Sequence, residues 1–263
     1  HSFPTRRSSD LESTVQDPVI IQEQFLVISP DQIHDHHFTH AVQSLVNDYL
    51  QSIPYPVHTM HEYTDGCSTQ YKSRHCMGDF SHMCDDFGYK EAVRNYFEPS
   101  HAKGPQDAAG GYLKKQADLA VIRGTHVIQN DEDLYNFATE NLTSPTDSAL
   151  CKRRVFRLLK SINRNRQRYF EPVVQNRQIR QIRTSKRGHL KARKISCYTC
   201  ASCENSQYDS CVNSQDFCTV KEIEIINENP DIDMDDEYSD VSFSLAELIF
   251  SGSVIAVFAD DPD

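Results

Sequence analysis

Phe25-Leu-Val-Ile-Ser29, the segment around residues 34–52, and Val57-His-Thr-Met-His-Glu-Tyr-Thr64 together decide the fold class. The first is short and continuously apolar, as a buried strand is. In the second, Phe38, Val42, Leu45, Val46, Tyr49 and Leu50 recur every three or four positions, which places them on one side of a helix opened by Asp31 or His34. Pro54 and Pro56 end that helix, because proline has no amide hydrogen to donate. The third run alternates loosely, reads as a strand, and stops at Asp65-Gly66. Strand, helix, strand is the beginning of an α/β layer.

The pattern continues outward from there. Residues 68–86 read as helical, with Tyr71, Met77, Phe80 and Met83 facing inward and Gly88 as the stop. Val93–Phe97 reads as a third strand, expected in one sheet with 25–29 and 57–64. A Gly/Pro-rich turn over 101–111 leads into a helix that reaches about residue 123. Asp131–Asn141 reads as a further helix, with acidic residues in its first turn. Thr143-Ser-Pro-Thr-Asp147 has the composition of a linker. Residues 152–194 combine dense charge with weak helical periodicity, and 228–240 are acidic and expected to be disordered. Ser251-Gly-Ser-Val-Ile-Ala-Val-Phe-Ala259 reads as one isolated strand, which is unstable alone and must dock on something.

Composition narrows the class. The chain has 263 residues, 38% of them hydrophobic, and a mean hydropathy of -0.60, so a core is expected over part of the length only. No run of 18 apolar residues is present to span a membrane, and the first residues lack the apolar stretch of a secretory leader. The net charge of -11 conceals segregation. Residues 152–194 carry 16 Lys/Arg against Glu171 alone, whereas 195–263 carry 16 Asp/Glu against Lys221 alone. The basic block, with Phe156, Tyr169 and Phe170 interleaved, has the composition of a non-specific DNA contact. Its candidate phosphate ligands are Arg153, Arg154, Arg157, Arg164, Arg166, Arg168, Lys186 and Arg187; the other reading is a basic tether.

Nine cysteines are present, and five crowd into 197–218 as Cys197, Cys200, Cys203, Cys211 and Cys218. The spacing C-x2-C-x2-C-x7-C-x6-C suits a tetrahedral Zn²⁺ held by any four of them. That density fits a reduced, intracellular compartment rather than a secreted disulfide scaffold. Cys67, Cys76, Cys84 and Cys151 read as packing residues. His34-Asp-His-His37 with His40 offers His36 and His40 one turn apart, as metal ligands or simply as a polar helix start. Asp65 at a strand end and Asp107 at a helix start fall where α/β sites gather, and two-metal phosphodiester chemistry needs such carboxylates.

Three stretches resemble a transposon-associated animal protein family. Tyr63-Thr-Asp-Gly-Cys-Ser-Thr-Gln-Tyr-Lys-Ser-Arg74 is similar to its SDGxxSQYK motif, and His101-Ala-Lys-Gly-Pro-Gln-Asp-Ala-Ala-Gly-Gly-Tyr-Leu-Lys114 to its HGKGPCDGxGGxxK motif. Ser196-Cys-Tyr-Thr-Cys-Ala-Ser-Cys203 is similar to its SCxCxxC cluster. The resemblance implies a partial RNase H-like, DDE-transposase-type core over 20–142, with vestigial catalytic residues Asp65, Asp107, His101 and Lys103 and a nuclear location. Ala102, Gln106 and Ala108 depart from the second motif, and the first-strand carboxylate of such cores would lie before residue 25. Mg²⁺ is therefore expected only in an intact ancestor, and no cleavage is expected here. A basic segment (152–194), a cysteine-rich zinc segment (195–226) and an acidic tail (227–263) would follow the core. His1–Leu11 resembles the translation of a short-read sequencing adapter, so 1–11 are expected to be extended and without packing partners.

Overall fold

The computed structural model describes residues 2–4, 22–53, 56–97, 105–145, 151–166, 168–204, 207–214, 220–226 and 254–258. It is a mixed α/β fold, with sheet flanked by helices and a cysteine cluster toward the C-terminal side. Strands are β1 (Ser2–Pro4), β2 (Gln22–Ile28), β3 (Thr59–Thr64), β4 (Glu91–Tyr96), β5 (Cys151–Leu158), β6 (Gln181–Thr184), β7 (His189–Arg193), β8 (Lys221–Glu224) and β9 (Val254–Phe258). Helices are α1 (His36–Ser52), α2 (Arg74–Ser81), α3 (Met83–Phe87), α4 (Pro105–Ile122), α5 (Asp131–Asn141) and α6 (Ala201–Glu204).

The local signals act as their chemistry requires. The Asp35 carboxylate accepts from the Phe38 N–H at 2.8 Å and caps α1. Asn130 caps α5 in the same way through the Asp133 N–H. Gly88 closes α3 at φ +79, a conformation in which a Cβ would be strained. The expected 68–86 helix is broken into a π-helical turn at Ser68–Lys72, then α2 and α3.

Strand order departs from expectation. β3 and β4 are parallel neighbours in a six-stranded sheet, β8-β7-β6-β4-β3-β9. β2 is not in it. It pairs in parallel with β5, and β1 covers its other edge. Apolar patterning specifies that a strand is buried but not which strand lies beside it. The isolated C-terminal strand docks antiparallel on β3. Ser2–Pro4 is extended as expected but does have a partner, since it hydrogen-bonds to Gln22–Gln24; backbone pairing at a sheet edge is indifferent to side chains.

The basic segment is neither helix nor tether. It supplies β5, β6 and β7, so the boundary drawn at residue 152 from composition cuts through both sheets. Its alternation was obscured because several inward positions are charged: Arg154, Arg183 and Arg193 are all buried. The acidic stretch 228–240 lies outside the described residues.

Side chains alternate across the large sheet. Met60, Ala92, Tyr96, Ile182, Leu190 and Ala192 face α1–α3, joined there by Phe25, Leu50, Met77 and Phe80. Glu62 and Arg94, cross-strand neighbours, form a buried ion pair at 2.5 Å, with Gln43 donating to Glu62. A second core joins Leu26, Ile28 and Phe156 to Leu113 and Phe137 of α4 and α5. Val93 points to the other face of the large sheet and packs against cysteines.

Candidate metal centre

Cys197, Cys200, Cys203 and Cys211 form that outer cluster. Their sulfurs all lie within 4.8 Å of one another, and all four residues are buried. Cys197 and Cys200 are 3.7 Å apart, Cys200 and Cys211 3.9 Å. A tetrahedron built on Zn–S bonds of about 2.3 Å has edges of about 3.8 Å. Four buried thiols at this separation can hold a metal ion with no side left open. Spacing alone allows any four of the five clustered cysteines; among the described residues these four converge, and Cys218 lies outside the described residues.

Local geometry explains the convergence. The first three cysteines sit on one tight turn leading into the short α6, where the Cys203 N–H reaches the Cys200 carbonyl at 3.0 Å and its sulfur at 3.4 Å. Cys211 is returned to them by a 3-10 turn over Tyr208–Ser210. Strand residues clamp the loop to the sheet. Arg183 and Lys191 bind the Asp209 carboxylate at 2.8 and 2.9 Å. Arg193 donates to the Tyr208 carbonyl and, at 3.5 Å, to the Cys203 sulfur. The Asn213 amide donates to the Cys197 sulfur at 3.3 Å. Hydrogen bonds from the Thr199 backbone and Asn213 hold the Cys197 thiol below its ordinary value, whereas burial raises Cys203. Two of the scattered cysteines differ. Burial pushes Cys76 up to about 12 and Cys84 up to about 11, as for inert packing thiols.

The sequence did not signal the clamp. Arg183, Lys191, Arg193 and Asp209 carry no motif spacing, and only strand register brings them onto one face.

The other candidates lie elsewhere. Asp65 is exposed, and its carboxylate accepts from the Cys67 N–H at 3.0 Å, which folds the turn after β3. Asp107 is exposed in the first turn of α4. His101 and Lys103 lie outside the described residues. Among the described residues, neither aspartate belongs to a group of three or more metal-ligating side chains. Lys72, from the first motif, is buried over the Tyr96 ring and donates to the Ile179 carbonyl at 2.8 Å, a strut between loop and sheet. His36 and His40 do not share an ion: His36 pairs with Asp79 at 2.8 Å and His40 with Asp86 at 3.1 Å.

Most arginines proposed for phosphate are occupied within the chain. Arg164 grips Asp31 through two nitrogens and Asp35 through a third. Arg166 pairs with Asp79 and Arg168 with Asp86, both at 2.8 Å. These three occupy alternate positions before Phe170, which is laid on Gly78, where a Cβ would stand 2.2 Å from the ring. Arg153 sits 2.6 Å from Glu23, Arg154 donates to Gln24 at 2.7 Å, and Arg157 stands over the Phe25 ring at 5.7 Å. Lys186 and Arg187 are exposed at the β6–β7 turn, where Arg187 lies 4.0 Å from Asp85.

With this geometry in hand, the chain can be placed. A family model described as Domain of unknown function (DUF8701) matches residues 13–196. The chain belongs to this family. No curated protein and no solved structure matches it. The DUF8701 match begins just after the adapter-like stretch. It takes in β2 through β7, the arginine segment and Arg193, and its last residue directly precedes Cys197. No helix among the described residues is long and apolar enough to cross a membrane.

Proposed function

We propose that this chain is a non-catalytic α/β interaction module whose C-terminal loop is stapled by one structural Zn²⁺ on Cys197, Cys200, Cys203 and Cys211. The observation that carries this reading is the convergence of four buried sulfurs at tetrahedral separation. Four thiolates close the coordination shell, leaving no position for water or substrate, as in structural rather than catalytic zinc sites. Thiolates favour Zn²⁺ over hard cations such as Mg²⁺. Asp65 acts as a turn cap, which is consistent with a module that cleaves nothing.

Descent from a transposase-like, nucleic-acid-associated protein of the nucleus remains compatible with this proposal as an account of origin. In that account, non-specific DNA contact falls to exposed cations such as Lys186 and Arg187, whose ion pair with Asp85 is long at 4.0 Å, rather than to the arginines held in short pairs. The test of the zinc reading is elemental analysis of the full chain purified under reducing conditions. One zinc per chain is expected, reduced to a small fraction in Cys200→Ser, with the four thiols protected from alkylation until chelator is added. Metal-free protein whose thiols alkylate at the same rate with and without equimolar zinc refutes it.

A further inference from the structure

The cysteine loop rests on a face of β6 and β7 that presents three cations: Arg183, Lys191 and Arg193. Two of them have a carboxylate, since Arg183 and Lys191 share Asp209. Arg193 is 3% exposed, and among the described residues no carboxylate pairs with it. Its guanidinium faces the Cys203 sulfur and the Tyr208 carbonyl. Arginine does not lose its proton in proteins, so this is a buried, permanent positive charge. Such a charge is costly unless it is compensated.

Four thiolates around a divalent cation carry a net charge of −2. That excess is equally costly beside a dry sheet face, and N–H donors to sulfur relieve it. Three of the four sulfurs have one: Cys203 from Arg193, Cys197 from the Asn213 amide at 3.3 Å, and Cys200 from the Cys203 backbone at 3.4 Å. We propose that Arg193 is the charge-compensating positioning residue of the metal centre, with Asn213 as its neutral counterpart on the opposite sulfur. This rests on the zinc reading above. It also means that the site is built jointly by strand β7 and the cysteine loop, so the loop's metal affinity depends on the sheet beneath it.

The test uses the full chain and Co²⁺ in place of zinc, because thiolate-to-cobalt charge transfer reports the electron density on sulfur. Wild type should show the intense bands of a tetrahedral tetrathiolate. Removing the donor raises the sulfur lone pairs in energy, so Arg193→Met should move the charge-transfer band to longer wavelength. It should also weaken zinc on the order of 10–100-fold in chelator competition. Arg193→Lys keeps the charge but loses the forked donation, and should shift the band less. Asn213→Ala, on the loop itself, gives the same readout in a chain with β7 intact, and should also shift the band to longer wavelength. Asp209→Ala loosens the clamp without touching a sulfur, and should leave the band in place. A wild-type cobalt spectrum with unshifted bands and unchanged zinc affinity in both Arg193→Met and Asn213→Ala overturns the assignment while leaving the zinc site standing. Absence of any thiolate–cobalt band in wild type overturns both.

Discussion

The arginine segment and the cysteine loop are two irregular, polar stretches fixed to the same fold by different means. The first lies across α1–α3 and brings cations to carboxylates on helices, Asp79 and Asp86, and in the turn that opens α1, Asp31 and Asp35. The second lies on the opposite face of the sheet and brings four like groups together. Thiolates at that distance repel one another, so their arrangement calls for an added cation. The arginine segment has its partners within the chain, whereas on the zinc reading proposed above the cysteine loop depends on a bound ion. Segments of similar polarity therefore answer to different conditions.

Removing metal should separate the two most sharply. Zinc at a thousandfold above its Kd contributes about 4 kcal/mol. Chelation, or Cys200→Ser, should therefore raise amide exchange over 197–214 by about three decades. Amides of α1–α3 should keep their protection. Equal loss in both regions would mean that the loop is integral to the whole core.

Breaking the arginine segment should have the reverse distribution. Asp79 is buried, with Arg166 at 2.8 Å and Arg168 at 3.6 Å, so Asp79→Ala leaves two guanidinium groups short of a carboxylate and should cost about 3 kcal/mol or more in chemical denaturation. Zinc content should stay at wild-type level. Acid gives the same contrast. Burial raises the Asp79 and Asp86 carboxyls, but His36 with Arg166, and His40 with Arg168, hold both below the ordinary carboxylate value. A depressed folded value means that their stabilisation is full above about pH 4 and is lost as pH falls further. Protons compete with zinc for thiolates at higher pH. An acid titration should therefore release metal first and unfold α1–α3 second; simultaneous loss would break the comparison.

A smaller effect is expected at the end of the arginine segment. Gly78→Ala drives a methyl into the Phe170 ring and should cost about 1–3 kcal/mol. Combined with Phe170→Ala, it should cost less than the sum of the two single changes, because the clash partner is gone. The smallest effect concerns DNA. Binding should be weak and fall with salt, and Lys186→Ala with Arg187→Ala should lower the salt slope by about two. Arg166→Ala should change that slope little, and Asp65→Ala should leave a nicking assay in Mg²⁺ at background. A steep loss of slope in Arg166→Ala would show that the paired arginines open toward phosphate.

How much of this was legible in the sequence depends on the range of the interaction. The periodicity from Phe38 to Leu50 gave helix α1 within two residues, and the Asp131–Asn141 boundaries were read directly, because helices are written in neighbours three and four apart. Gly88 as a stop and the cysteine spacing were equally local. The β5–β7 strands were missed because arginines occupy inward positions, and a buried arginine looks like a surface residue until its partner is known. The motif around Asp65 does not tell by itself that the Asp65 carboxylate caps a turn or that Lys72 is a strut, because both partners are set by how the loop folds.

By itself, the sequence determined an α/β chain, the positions of its main helices, the docking need of the last strand, and a cysteine cluster dense enough for metal. Only the tertiary structure decided that β2 pairs with β5 rather than β3, that Cys197, Cys200, Cys203 and Cys211 meet, and that Arg164, Arg166 and Arg168 face aspartates while Arg193 faces a sulfur. The physical reason is that caps, turns and periodicity are set within one turn of chain. Strand order and charge pairing are settled between residues far apart in sequence, where each group takes the partner that burial brings to it.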